Sequence, residues 1–355
     1  MRVRRAWAAL AALAVVASAA CGGGSAGDEP AEESAVVSST APGDVGEAGD
    51  DAAARDPKPS QGCAASSAPA AGVTDERLTS GGVERAYQLT IPTNYDGTSP
   101  LPLFFALHAL TVNYHVVAPM SGFAEADETY DFIVVAPSGR IEGTTPFWNA
   151  APTADNYDLT FLGDLLDHLE STLCVDTRRV FSLGMSNGAQ TSSLLACRLG
   201  DRIAGIAAIA GVEYNEPCDG PAVPVIAFHG VEDPIVPFEG GGLNSVRIAD
   251  TYFYRGTVPV GTATPVGVEE SMRRWAQHNS CDAEPEEERL SPEVRWRHWT
   301  GCSAPTELYI VDNGGHAWPG KPQPAFEASF GHGTTDIDAS ALLFEFLLGD
   351  AATTP

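Results

Sequence analysis

The sequence predicts an α/β protein: a doubly wound, mostly parallel sheet with helices on both faces. Three observations point there. Short, near-continuous apolar runs recur along the chain, helical i, i+3, i+4, i+7 patterns lie between several of them, and the alternation persists for most of the sequence. A strand covered on both faces has no inside and outside to alternate between, so an apolar run bounded by Gly or Pro reads as a buried parallel strand. Such runs are Ala86–Ile91, Leu101–Leu107, Phe132–Ala136, Val180–Leu183, Ile206–Ile209, Val223–Phe228 and Leu308–Val311. Leu162, Leu165, Leu166 and Leu169 mark one amphipathic helix, and Leu342, Leu343, Phe346 and Leu347 mark another near the C-terminus. Further helices are expected after Ser186 and over Glu269–His278. The Pro- and Gly-rich stretches 237–266 and 317–334 read as long surface loops, which border sites in this architecture.

The N-terminal region has a different character. Residues 1–20 place Arg2, Arg4 and Arg5 before an apolar run from Ala6 to Val16 and the small residues Ala17 to Ala20. This is the layout of a secretory signal, too short to span a bilayer comfortably. Cys21 follows at once and resembles the lipidated cysteine of a bacterial lipobox, although Ser18 stands where Leu is usual. Membrane association is expected only through that lipid anchor. Residues 22–60 hold nine acidic residues against two basic ones and no aromatic, the composition of a disordered acidic linker. The folded domain is expected over 61–355, as a monomer. Across 355 residues, 47 acidic against 20 basic side chains give a net charge of −27, and Lys58 and Lys321 are the only lysines. That balance argues against nucleic acid as a partner, because phosphate contacts need clustered Lys and Arg.

Six cysteines remain beside Cys21: Cys63, Cys174, Cys197, Cys218, Cys281 and Cys302. An even number in an exported chain suggests disulfides, with fifteen possible connectivities. No CxxC pair and no His/Cys cluster has zinc spacing.

The strongest chemical signal is Val180-Phe181-Ser182-Leu183-Gly184-Met185-Ser186-Asn187-Gly188, a strand running through Gly-x-Ser-x-Gly into a helix. A serine on so sharp a turn needs small neighbours, and the following helix N-terminus aims amides at developing negative charge. Serine also needs a general base oriented by a carboxylate. The acid is assigned to Asp233, in the turn after Val223–Phe228 and before Pro234, with Glu232 and Glu213 as alternatives. The base is assigned to His316, flanked by Gly315 after the last predicted strand, with His332 as the alternative. His229 precedes the acid and is expected to hydrogen-bond backbone. The oxyanion donors are expected to be the N–H groups of Asn187 and of Leu110, the latter in the loop after Leu101–Leu107.

Taken together, Gly184-Met185-Ser186-Asn187-Gly188, His229-Gly230 with Asp233, Gly240-Gly241-Gly242 and Gly315-His316-Ala317-Trp318-Pro319-Gly320 resemble the secreted polyhydroxybutyrate depolymerase and feruloyl or acetylxylan esterase family. Pro102-Leu103 and Trp148-Asn149 also match it. The resemblance covers roughly residues 61–350. It implies an α/β-hydrolase fold, a Ser186–His316–Asp233 triad, no cofactor or metal, and disulfides Cys63–Cys174, Cys197–Cys218 and Cys281–Cys302. Ala109 departs from the family's His-Gly and alters the expected oxyanion loop. Trp148 and Trp318 are candidates to flank an acyl or sugar group. The expected activity is hydrolysis of carboxylic esters, on a polyester oligomer or an acylated polysaccharide. A non-catalytic surface-binding protein on the same scaffold is the competing reading.

Overall fold

The computed structural model describes residues 56–349, except 66–68, 111, 127–129, 143–144, 242–265, 323 and 325–326. Its strands are β1 (Gly72–Ser80), β2 (Val83–Ile91), β3 (Leu101–Leu107), β4 (Ile133–Pro137), β5 (Arg140–Glu142), β6 (Thr145–Phe147), β7 (Val175–Met185), β8 (Gly205–Ile209), β9 (Val225–Gly230), β10 (Glu286–Arg289), β11 (Val294–Trp299) and β12 (Thr306–Val311). The helices are α1 (Tyr114–Met120), α2 (Phe123–Ala126), α3 (Tyr157–Thr172), α4 (Asn187–Arg198), α5 (Val268–His278), α6 (Glu327–Phe330) and α7 (Ala339–Leu348).

Ten strands form one sheet in the order β1-β2-β4-β3-β7-β8-β9-β12-β11-β10. From β4 to β12 every neighbouring pair is parallel. The two flanks, β1–β2 and β11–β10, are antiparallel. All seven apolar runs became strands, and those in the centre are buried along nearly their whole length. The two outermost strands gave no apolar signal because they lie at the sheet edges: β1 and β10 are exposed throughout or nearly so.

One apolar cluster, on the α3, α4 and α5 face, joins Phe161, Leu165, Leu195 and Trp275 to Leu103 and Val225. The other places Val117 of α1 and Leu343 and Phe344 of α7 against Phe104, Phe181 and Ile226. Successive residues of a strand face opposite sides, so Leu103 and Phe104 feed different cores. The periodic leucines of α3 are all buried, and its start is fixed by Asn156, whose Oδ1 accepts from the N–H groups of Asp158 and Leu159. Asp338 caps α7 in the same way.

The three disulfides join the pairs that the family resemblance implied. One boundary shifts. The signal segment, Cys21 and most of the acidic linker lie outside the described residues, as does Gly242, but the last five residues of the linker are docked on β7. Lys58 N–H donates to Asp176 Oδ1 at 2.9 Å, Ser60 N–H to the Val175 carbonyl at 2.9 Å, and Thr177 N–H to the Lys58 carbonyl at 2.9 Å. Composition hid this because the docking uses backbone groups, not apolar side chains.

Candidate active site

The parallel strands end together: Leu107 pairs with Gly184, Met185 with Ile209, Ile209 with Phe228, and Gly230 with Val311. Loops leaving these ends converge on one edge of the sheet, the edge at which open α/β sheets bind ligands.

At the end of β7, Ser186 has φ 57° and ψ −121°, a backbone strained for any residue with a side chain. Two glycines make the turn possible. A Cβ on Gly184 would lie 2.4 Å from the Gly188 carbonyl carbon, and one on Gly188 would lie 2.1 Å from the Leu107 carbonyl oxygen. The Ser186 N–H donates to the Ile209 carbonyl at 2.8 Å, tying the turn to β8. Ser186 stands at the N-cap of α4 but makes no side-chain capping bond, unlike Asn156 and Asp338, so its hydroxyl is not spent on the helix.

Asp233 and His316 leave β9 and β12, which are neighbours. His316 Nδ1 lies 2.7 Å from Asp233 Oδ2, with both side chains buried. Asp233 Oδ1 accepts from the N–H groups of Ile235 and Val236 at 2.8 and 2.9 Å, which orients the carboxylate. Burial pushes the Asp233 carboxyl up, but the His316 charge and hydrogen bond, the nearby His229 and the Val236 N–H outweigh it and hold the group below its ordinary value. An ionised Asp233 has no proton to give, so the proton of this bond belongs to His316 Nδ1. In the neutral ring Nε2 then keeps its lone pair.

The alternatives fall elsewhere. Glu232 is exposed, and His332 pairs with Glu293 at 3.1 Å. Glu213 is buried and accepts from Gln190 Nε2 at 2.8 Å, and burial pushes its carboxyl up to about 8, the opposite of what a triad acid needs. His229 bonds backbone as expected, through Nε2 to the Val236 carbonyl at 2.9 Å.

Sequence reasoning missed His108 as a builder of the loop after β3. Gly139 N–H donates to its Nε2 at 2.8 Å, so Nδ1 carries the proton and donates to the Ala109 carbonyl at 2.8 Å. Burial holds this imidazole neutral, with its pKa lowered to about 4. Because the Ala109 carbonyl also accepts from Val112 N–H at 3.1 Å, the peptide plane is fixed, and the Leu110 N–H points away from those donors. The only advance signal was a histidine directly after a buried strand.

Both tryptophan assignments need correcting. Trp148 is 0% exposed and Trp318 is 1% exposed, so neither presents a face to a substrate. Trp148 N–H donates to Asn187 Oδ1 at 2.7 Å, Asn187 Nδ2 donates to the Trp148 carbonyl at 3.1 Å, and Trp148 Nε1 donates to the His108 carbonyl at 3.0 Å. It thus bolts the start of α4 to the loop after β3. Trp318 Nε1 donates to Ser340 Oγ at 3.0 Å and anchors the His316 loop on α7.

A serine at a strained strand–helix turn and a buried Asp–His pair, at the carboxyl ends of a doubly wound parallel sheet, match the arrangement of an α/β-hydrolase. No protein-family model matches the chain. It is 28% identical over 242 residues to a probable feruloyl esterase C of Aspergillus niger, covering 65% of this chain and 76% of that protein. It is 31% identical over 176 residues to feruloyl esterase C of Emericella nidulans, covering 47% of this chain and 60% of that protein. Among solved structures, an acetyl xylan esterase from Aspergillus awamori shares the fold with a TM-score of 0.51 and 17% identity, over 68% of this chain and 94% of that one. The solved structure shows the α/β-hydrolase fold, and similarity to the feruloyl esterases makes the chain a carboxylic ester hydrolase. These relatives are named feruloyl esterase and acetyl xylan esterase; the polyhydroxybutyrate depolymerase side of the resemblance is not shown.

Proposed function

We propose that the chain is an exported serine esterase that removes feruloyl or acetyl groups from polysaccharide through a Ser186–His316–Asp233 triad. The observation that carries this reading is the 2.7 Å bond from His316 to Asp233 on the same sheet edge as the strained Ser186 turn. His316 Nε2 takes the proton as Ser186 Oγ attacks the ester carbonyl, and Asp233 stabilises the imidazolium that results. The backbone N–H groups of Asn187 and Leu110 receive the oxyanion. Collapse of the tetrahedral adduct breaks the ester C–O bond, and His316 returns the proton to the departing alcohol. Water, deprotonated by the same imidazole, then releases the acid and frees Ser186.

Three disulfides suit an oxidising, exported location, and the signal-like N-terminus with Cys21 adds a surface lipid anchor to the proposal. The test is labelling by a fluorophosphonate together with turnover of methyl ferulate, acetylated xylan and hydroxybutyrate oligomers. Ser186→Ala is expected to abolish labelling and hydrolysis while the protein stays folded. Undiminished turnover by that variant would refute the nucleophile.

A further inference from the structure

A buried histidine with no part in proton transfer lies beside the triad acid. His229 sits near the end of β9, four residues before Asp233, and both side chains are fully buried. Its Nε2 lies 2.9 Å from the Val236 carbonyl oxygen and 3.5 Å from Asp233 Oδ2, the same oxygen that His316 Nδ1 meets at 2.7 Å. Both neighbours of Nε2 are acceptors, so that nitrogen carries the proton and donates to the Val236 carbonyl. Val236 in turn donates its own N–H to Asp233 Oδ1 at 2.9 Å. His229, Val236 and Asp233 thus close a ring of contacts around the carboxylate.

Packing alone does not ask for an imidazole here. With the proton on Nε2, Nδ1 is left as an acceptor, and it is buried without a hydrogen-bond partner among the described residues. A buried polar atom without a partner is a cost, and an apolar ring set against Phe238, whose centroid lies 6.0 Å away, would not carry it. What an apolar ring cannot supply is the N–H. Burial keeps the His229 ring neutral, and the titratable groups acting on it are Asp233, which favours its charge, and His316, which opposes it. We infer that His229 is a positioning residue for the triad: its Nε2–H fixes Val236 on the carboxylate and turns the positive end of a dipole toward Asp233 Oδ2. This inference rests on the Ser186–His316–Asp233 reading above. A carboxylate deprived of that dipole holds an imidazolium more tightly, so the imidazole gives up its proton only at higher pH.

The test is the pH profile of kcat/KM on p-nitrophenyl acetate for wild type, His229→Phe, His229→Asn and His229→Gln, with melting curves to show that each is folded. Phenylalanine fills the site without a donor, asparagine stops at the position of Nδ1, and glutamine carries an N–H to the position of Nε2. His229→Phe and His229→Asn are expected to move the acid limb up by about 0.5 to 1 pH unit and to lower kcat about 3- to 10-fold, with KM little changed. His229→Gln is expected to return both toward wild type. An acid limb that stays in place in the Phe and Asn variants overturns the inference, even where kcat falls, and leaves His229 as packing. Equal shifts in all three variants overturn it too, because the donor then makes no difference. If His229→Phe does not fold, the comparison of Asn with Gln decides. Asp233→Asn, run alongside, tests the triad by itself. Full activity there removes the triad reading, whereas lost activity there with unmoved His229 profiles removes this inference alone.

Discussion

Glu213→Gln separates the acid that serves the fold from the acid proposed for the chemistry. Glu213 is buried behind the nucleophile turn, with its carboxyl pushed up to about 8 by burial from an ordinary 4.5, although Gln190 donates to it at 2.8 Å. Between these two values the folded chain holds a proton that the unfolded chain releases. Stability is therefore fully present below pH 4.5 and is lost as pH rises toward 8. Each pH unit in that window costs about 1.4 kcal/mol, so from pH 5 to pH 7 wild type loses about 2–3 kcal/mol through this one group. Glutamine keeps an acceptor for Gln190 and does not titrate. Urea unfolding of both proteins at pH 5, 6 and 7 should show the variant gaining on wild type by that amount, a midpoint shift on the order of 1 M. Stability curves that run parallel across this range would show that Glu213 is not held protonated. Activity provides a second readout: Glu213→Gln should keep kcat/KM within a few-fold, whereas Asp233→Asn should lower kcat by about 10⁴. The reverse ranking would return the triad acid to Glu213.

Trp148→Phe removes one donor and leaves the buried His108 carbonyl without its 3.0 Å partner. It should cost about 1–3 kcal/mol in melting experiments and lower kcat on p-nitrophenyl acetate about 10-fold with little change in KM, because the loop proposed to hold the oxyanion loses its bolt. An unchanged kcat would detach Trp148 from the oxyanion segment. The Cys63–Cys174 disulfide spans 111 residues, and replacing both cysteines by serine should cost about 2–5 kcal/mol by urea unfolding. A midpoint equal to wild type would show that the docked segment around Ser60 holds without it.

The parts of this molecule legible in its sequence are those whose signal is local. The central strands announce themselves because burial on both faces forces every residue to be apolar, and Leu162 to Leu169 announce a helix because one face must meet the sheet. Gly184-x-Ser186-x-Gly188 is legible because the backbone contacts on either side exclude a Cβ. The antiparallel strands beyond β12 were not legible: β11, Val-Arg-Trp-Arg-His-Trp, pairs its arginines with Glu287, Glu269 and Asp312 at its surface, so no apolar run marks it. The polar interior was equally silent. Arg85 and Asp158 form a buried ion pair, and Asp158 Oδ2 accepts from Asn149 N–H at 2.8 Å, so a charge pair remote in sequence steadies the residue beside Trp148. Composition sees only two charges there.

The tryptophans show why contact residues resist such reading. Trp148 and Trp318 stood out because large aromatic rings near catalytic motifs suggest stacking on a substrate, yet each has an indole N–H that needs a buried acceptor, and each found one, in the His108 carbonyl and in Ser340 Oγ. Residue type therefore predicted the opposite of what chain geometry imposes: a ring with a polar handle is drawn inward wherever a buried acceptor stands within reach, and the indoles that stood out in the sequence became the bolts of the site.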